Sequence, residues 1–186
     1  MKRIAILHEG NDKSSLDNKL IKNLITHLKL DIEKADFYGM GVKSNFFNRD
    51  YIAYKSLKAQ IQREEINNLL FIVDADSGHD GGLEKTQSKL ETVIAELDFN
   101  AISQFFIMRN PKTNEGYVES FILSTIPEDK MKCINQFLKC SGFEAKDGDK
   151  STYERIYKSI AHPLSPYNFE HENFKELKEI LTSLFK

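Results

Sequence analysis

Short, almost wholly apolar runs alternate along the chain with longer stretches in which apolar residues recur every third or fourth position. The runs are too brief for helices and predict strands at residues 3–8, 35–38, 69–73 and 103–108. The first carries Ile4, Ala5, Ile6 and Leu7, and the third, Leu69-Leu70-Phe71-Ile72-Val73, is the strongest in the chain. Runs apolar on both faces belong to strands of a parallel sheet covered by helices on each side. The intervening stretches supply those helices, with Leu16, Leu20, Ile21, Leu24, Ile25 and Leu28 in the first. Tyr54, Leu57, Ile61 and Ile66 mark the second, and Leu83, Leu90, Val93, Ile94 and Leu97 the third. Strands alternating with helices predict an α/β fold, a parallel sheet of about four strands joined by right-handed crossovers. Beyond that the pattern is mainly helical, at residues 119–125, 127–140, 153–161 and 173–185. The chain thus reads as an α/β domain over residues 1–126, with a helical C-terminal extension over 127–186 packed on it. Residues 43–51 show no clear period and read as a loop, and 146–151 (Lys-Asp-Gly-Asp-Lys-Ser) read as an exposed linker.

Composition changes this picture little. At 186 residues the chain can bury a proper core. A net charge of −2 gives no general pull toward nucleic acid or membrane, so polyanion binding would need a local basic patch or a bridging metal. No apolar run approaches a membrane span, and MKRIAILHEG turns polar too soon for a signal peptide, so a cytoplasmic location is expected. Cys133 and Cys140 match no zinc or redox spacing and are expected to be reduced, core-facing thiols.

The chemistry is expected where the strands stop. The first ends at Glu9-Gly10, and the third at Asp74-Ala75-Asp76. Strand side chains alternate, so Asp74 and Asp76 are expected to project from one side while Ala75 points away. The C-terminal ends of parallel strands share one edge, where open α/β proteins bind ligands, so Glu9 is expected to converge with the two aspartates. Clustered carboxylates repel unless a cation or protons intervene, and hard oxygen donors at a partly open site suit Mg²⁺ or Mn²⁺. Each acid also has a plainer role, capping the helix that follows it.

These residues resemble the Toprim domain, shared by topoisomerases, primases and OLD-type nucleases. That family places a glutamate in a Glu-Gly turn after its first strand and an Asp-x-Asp pair after a later one, here ILHEGNDKSSL and LLFIVDADSGHDGG. The segment MRNPKTNEGYVESFIL is similar to part of a small stand-alone prokaryotic Toprim-like family, in which Gly116 and Glu119 would fall in a turn and a helix start. The closing YERIYKSIAHPLSPYNF and FKELKEILTSLF are similar to its C-terminal helices. The resemblance implies a Rossmann-like fold and a metal-assisted phosphoryl-transfer scaffold, with Asp74 and Asp76 on the metal. Glu9 would act as general acid/base or as a further ligand, and the sequence does not choose between the two. No appended DNA-gate, zinc-finger or ATPase domain is expected from these residues, so the resemblance points to no one branch of the family and to no substrate.

Several other residues have two readings. Glu119 is a possible fourth acid at the site or a first-turn glutamate favoured by its helix dipole. His79, Lys13 and Arg109 can reach a phosphate from loops at this edge, or simply face solvent. His8 is expected to point away from Glu9. Phe46, Phe47, Tyr51 and Tyr54 can stack bases or pack on the core. The Gly78–Gly82 stretch lacks the Gly-Lys-Ser/Thr ending of a P-loop, and no GxGxxG follows the first strand. A receiver domain would carry adjacent acids after its first strand, which Glu9-Gly10 does not supply. The leading expectation is a metal-dependent, nuclease-like protein acting on nucleic-acid phosphodiesters. The second is a metal-binding or regulatory module that works as a subunit of a larger complex with a protein partner.

Overall fold

Side chains alternate between the two faces of one sheet, and both faces are covered, so the strand at Ile4–His8 is buried at every position and the core is divided in two. A computed structural model of the chain describes residues 3–11, 15–78, 81–141 and 167–186. Strands β1 (Ile4–His8), β2 (Ala35–Gly39), β3 (Asn68–Asp74) and β4 (Ser103–Met108) pair in parallel in the order β2-β1-β3-β4. They lie where the apolar runs predict them. The helices are α1 (Leu16–His27), α2 (Ile52–Gln62), α3 (Leu83–Glu96), α4 (Val118–Leu123), α5 (Glu128–Ser141) and α6 (Lys175–Leu184). The fold is therefore the expected α/β, Rossmann-like arrangement of a four-stranded parallel sheet flanked by helices.

One face carries Ile4, Ile6, Leu70, Ile72, Phe106 and Met108, covered by α1, α4 and α6. The other carries Ala5, Leu7, Leu69, Phe71, Val73 and Ile107, covered by α2 and α3. Each large aliphatic or aromatic side chain withdrawn from water contributes roughly 1.5–3 kcal/mol before chain entropy is counted. Phe121 of α4 meets Phe106 and Phe174 edge-on, at centroid distances of 5.4 and 4.8 Å, which ties the chain's last segment to the sheet through α4. Phe174, Leu177 and Leu181 are fully buried in the α1 face, so α6 belongs to the same core as β1 and β3.

Differences from expectation have local causes. Helix α2 stops at Gln62 rather than reaching Ile66, because Glu64 takes a left-handed φ of 58° and turns the chain into β3. Cys133 and Cys140 are exposed, not core-facing. Their seven-residue spacing fixes that they share a stripe of α5 and leaves open which way that stripe faces. Phe46 and Tyr54 are fully buried, with the Tyr54 hydroxyl donating to the Phe46 carbonyl at 2.6 Å, so these two pack rather than stack bases. The predicted helix at 153–161 and linker at 146–151 lie outside the described residues. Among the described residues no helix is long and apolar enough to cross a membrane.

Strand order sets the position of the site. From the central β1 the chain moves to β2 on one side, and from β3 it moves to β4 on the other. The loops leaving β1 and β3 therefore diverge and leave a crevice between their C-terminal ends, the switch point where open α/β sheets take ligands.

Candidate metal centre

The turn after β1 is tight. Gly10 has a φ of 77° and pairs with Gly41 in an antiparallel bridge, with N–H···O distances of 2.7 and 2.9 Å. A Cβ at Gly10 would lie 2.7 Å from the Ser15 Cβ and in a backbone region that side chains disfavour. Ser15 caps α1 by accepting the Asn18 N–H at 3.3 Å. His8, wholly buried, turns its ring to this helix start. Its Nδ1 lies 2.8 Å from the Glu9 carbonyl, which can only accept, so Nδ1 carries the proton. Its Nε2 is then the acceptor for the Asn18 side-chain amide at 3.2 Å. His8 thus fastens the first turn of α1, with Asp17, to the end of β1.

Glu9 crosses the crevice. Its Oε1 accepts the backbone N–H of Asp74 at 2.9 Å, one step past the last ladder pair of β1 and β3, His8 with Ile72. Asp74 ends β3, is 7% exposed, and accepts the Val118 N–H on Oδ1 at 2.9 Å. Val118 opens α4, so Asp74 does cap a helix, although not the one that follows it in sequence. The second oxygens, Glu9 Oε2 and Asp74 Oδ2, make no hydrogen bond among the described residues.

Asp76 faces elsewhere, and the expected same-side projection with Asp74 does not hold. The strand ends at Asp74, and Asp76 has a left-handed φ of 60°, which breaks the alternation. Its backbone is bridged to Gly116, at 2.8 Å in both directions. Its carboxylate lies 3.1 Å from Lys43 Nζ, which also donates to the Ala75 carbonyl and to Thr86 Oγ1, both at 3.0 Å. Gly81 lets this loop fold back, since a Cβ there would stand 2.7 Å from the Ser77 nitrogen and 2.8 Å from the Asp76 carbonyl carbon.

Two residues outside the predicted set complete the site. Asp17, in the first turn of α1, is 5% exposed, and its Oδ1 is buried without any hydrogen-bond partner. Burial, then the charges of Glu9 and Glu119, push its carboxyl up to about 7. Asp74 is raised well above the usual carboxylate range by burial first, and then by Asp17, Glu9 and Glu119. Glu9 is raised by burial and by Asp76, against the lowering effect of the Asp74 amide and of Lys43. Glu9 therefore links two halves. On one side Asp74 feels Asp17, and both feel the charge of Glu119, while on the other Asp76 is paired with Lys43. The sequence signal for Asp17 was present: it lies on the stripe of Leu20, Ile21 and Leu24 (three, four and seven residues on), an acid where an apolar residue is expected. Lys43 had no local signal, because its partners lie 32 and 43 residues further along the chain.

Among the described residues no three His, Cys, Asp or Glu side chains stand close enough together to enclose a metal ion as they are placed. Mg²⁺ does not require that, since it is commonly held by one or two carboxylates with waters and a phosphate completing the shell. The second oxygens of Glu9 and Asp74, unengaged among the described residues, are hard donors with surplus negative charge, the donor chemistry that such an ion takes. Arg109 is turned inward, its Nη1 donating to the Ile107 carbonyl at 3.0 Å, with Nη2 3.9 Å from Glu176. Lys13 and His79 lie outside the described residues. A groove of about 450 Å³ lined by Asn110, Lys112, Ser120 and Met131 among others contains none of the five acids. Compared with protein-family models, curated proteins and solved structures, the chain gives no match.

Proposed function

We propose that this protein binds Mg²⁺ or Mn²⁺ at the β1/β3 crevice and acts on nucleic-acid phosphodiesters, as a nuclease-like phosphoryl-transfer protein of Toprim type. The observation that carries this reading is the set of mutually repelling carboxylates at the switch point, Asp17 and Asp74 buried and Glu9 half-buried. Burying such charges is costly unless a cation or protons compensate, and a site kept for packing alone would have no need of them. Asp74 and Glu9 hold the ion, with Asp76 at the rim. A bound divalent ion would neutralise a phosphate oxygen and lower the pKa of a water. The surplus acid explains how a chain of net charge −2 takes a polyanion, since the metal supplies the attraction. Oε1 stays on the Asp74 amide, so Oε2 is the Glu9 oxygen that reaches the ion.

The second reading is a metal-binding or regulatory subunit without chemistry of its own. It is favoured by the inward commitment of Lys43 and Arg109. Calorimetric titration of the metal-free protein with Mn²⁺ and Mg²⁺, wild type beside Asp74→Asn, is followed by a gel assay on mixed DNA and RNA. Binding with metal-dependent cleavage, both lost in the variant, is the expected result. Binding without cleavage supports the subunit reading, and no binding by the wild type ends both.

A further inference from the structure

Helix α4 has six residues, too few to hold itself together in water, so its place depends on what grips its two ends. At the N-terminal end the Val118 N–H donates to Asp74 Oδ1 at 2.9 Å, a buried bond. At the C-terminal end the carbonyls just past the last turn are met by two asparagines of the chain's last segment. Asn173 Nδ2 donates to Ser124 Oγ at 2.8 Å and to the Ser124 carbonyl at 3.4 Å, and Asn168 Nδ2 donates to the Thr125 carbonyl at 3.2 Å. Ser124 Oγ gives its own proton to the Phe121 carbonyl at 2.6 Å, which leaves its lone pairs for Asn173. Asn173 is itself oriented, its backbone N–H donating to His171 Nδ1 at 3.2 Å. Between the two ends Phe121 is wedged edge-on against Phe106 of β4 and Phe174 of the last segment.

We infer that α4 is a strut between the C-terminal segment and the candidate site, and that Asn173 is a positioning residue for Asp74. A helix of fewer than two turns has no interior to stop fraying, so an end that loosens at Ser124 loosens Val118 as well. With Val118 goes the donor that fixes the Asp74 carboxylate. Asn173 bonds to Ser124 and not to Asp74, so its effect reaches the acid through α4. The last segment, which closes the α1 face of the core, is thereby also a working part of the β3 end of the crevice. This arrangement concerns the carboxylate's position alone and holds whichever function the crevice serves.

The test is amide hydrogen exchange by NMR on the full-length protein without added metal, together with the carbon-13 resonance of the Asp74 carboxyl. Asn173→Ala, and Asn173→Asp, which keeps the shape and removes the donor, are each expected to speed exchange at Val118 about fivefold, as one lost hydrogen bond would. Leu24 in α1 and Leu70 in β3 are expected to exchange as in wild type, and the Asp74 carboxyl resonance to shift. Leu57→Ala, which opens the opposite face of the sheet, is the control. It is expected to speed all three amides by one factor and to leave the Asp74 resonance in place. Asn168→Ala carries the same test at the Thr125 carbonyl should an Asn173 variant fail to fold. Exchange at Val118 that rises only in step with Leu24 and Leu70 reduces Asn173 to a stabilising contact and overturns the proposal. Wild-type exchange at Val118 overturns it as well, and a faster Val118 with an unmoved Asp74 resonance overturns the link to the site.

Discussion

Asp74 and Asp76 are two residues apart and sit in opposite electrostatic settings. Asp74 is buried on the α1/α4 side among acids, and among the described residues it is compensated by the Val118 amide. Asp76 is 39% exposed, past the end of the strand, and paired with an ammonium. The Asp-x-Asp spacing therefore does not define a single pair of like ligands. It delivers one acid to each side of Glu9, and the tertiary structure decides which acid keeps its surplus charge. The half where no cation stands among the described residues is where a metal ion would gain most, because there it would relieve repulsion as well as make bonds.

The sharpest way to break this contrast is to neutralise one acid at a time. Asp74→Asn keeps an acceptor for the Val118 amide and removes the charge, so Mn²⁺ affinity should fall by something on the order of 100-fold. Asp76→Asn should cost under about tenfold, and calorimetry that finds the two variants equal would erase the distinction between the halves.

The metal-free protein should also lose stability as pH rises. Asp17 and Asp74 have folded-state pKa values raised above their unfolded ones, so the native state holds protons that the unfolded chain releases. Between about pH 4, the ordinary aspartate range, and the Asp17 value of about 7, unfolding free energy should drop by a few kcal/mol. Saturating Mn²⁺, or Asp17→Asn, should flatten that slope. Urea denaturation from pH 4 to 8 with chelator or metal is the measurement, and a slope that rises with pH would contradict it.

A smaller effect belongs to the other half. Lys43→Met removes three contacts and leaves Asp76 unbalanced, a loss of about 1–3 kcal/mol, with the pH slope of the Asp17 side unchanged. The smallest is expected at the opposite end of the sheet. Arg3 is hydrogen-bonded to Asp36 there, but the pair is partly exposed, at 42% and 32%. Arg3→Gln should change stability by under about 1 kcal/mol and metal affinity not at all, which makes it the control for both.

The four strands and their helices were legible because each apolar run or period reports directly on which faces are covered. Glu9 and Asp74 were legible because a strand end in a parallel sheet has a known address. Asp76 was misplaced in its direction, since alternation holds only while φ stays extended, and no feature of Asp74-Ala75-Asp76 announces the turn at its third residue. Asp17 was visible as an acid in an apolar stripe, yet a first-turn aspartate is so ordinary a helix-start residue that the stripe alone does not single it out. Lys43 sits in a stretch without period, and its role arises from chain segments that only the folded sheet brings near.

The hydrogen bond from the Asp74 amide to Glu9 gives the centre a built-in reporter. That single proton sits on the backbone of one acid and points at the carboxylate of another. Its nuclear resonance will move when Glu9 gains a proton, and would move if an ion claimed Oε2. A spectroscopist could follow the whole crevice through one cross-peak, with no label attached to any carboxylate there.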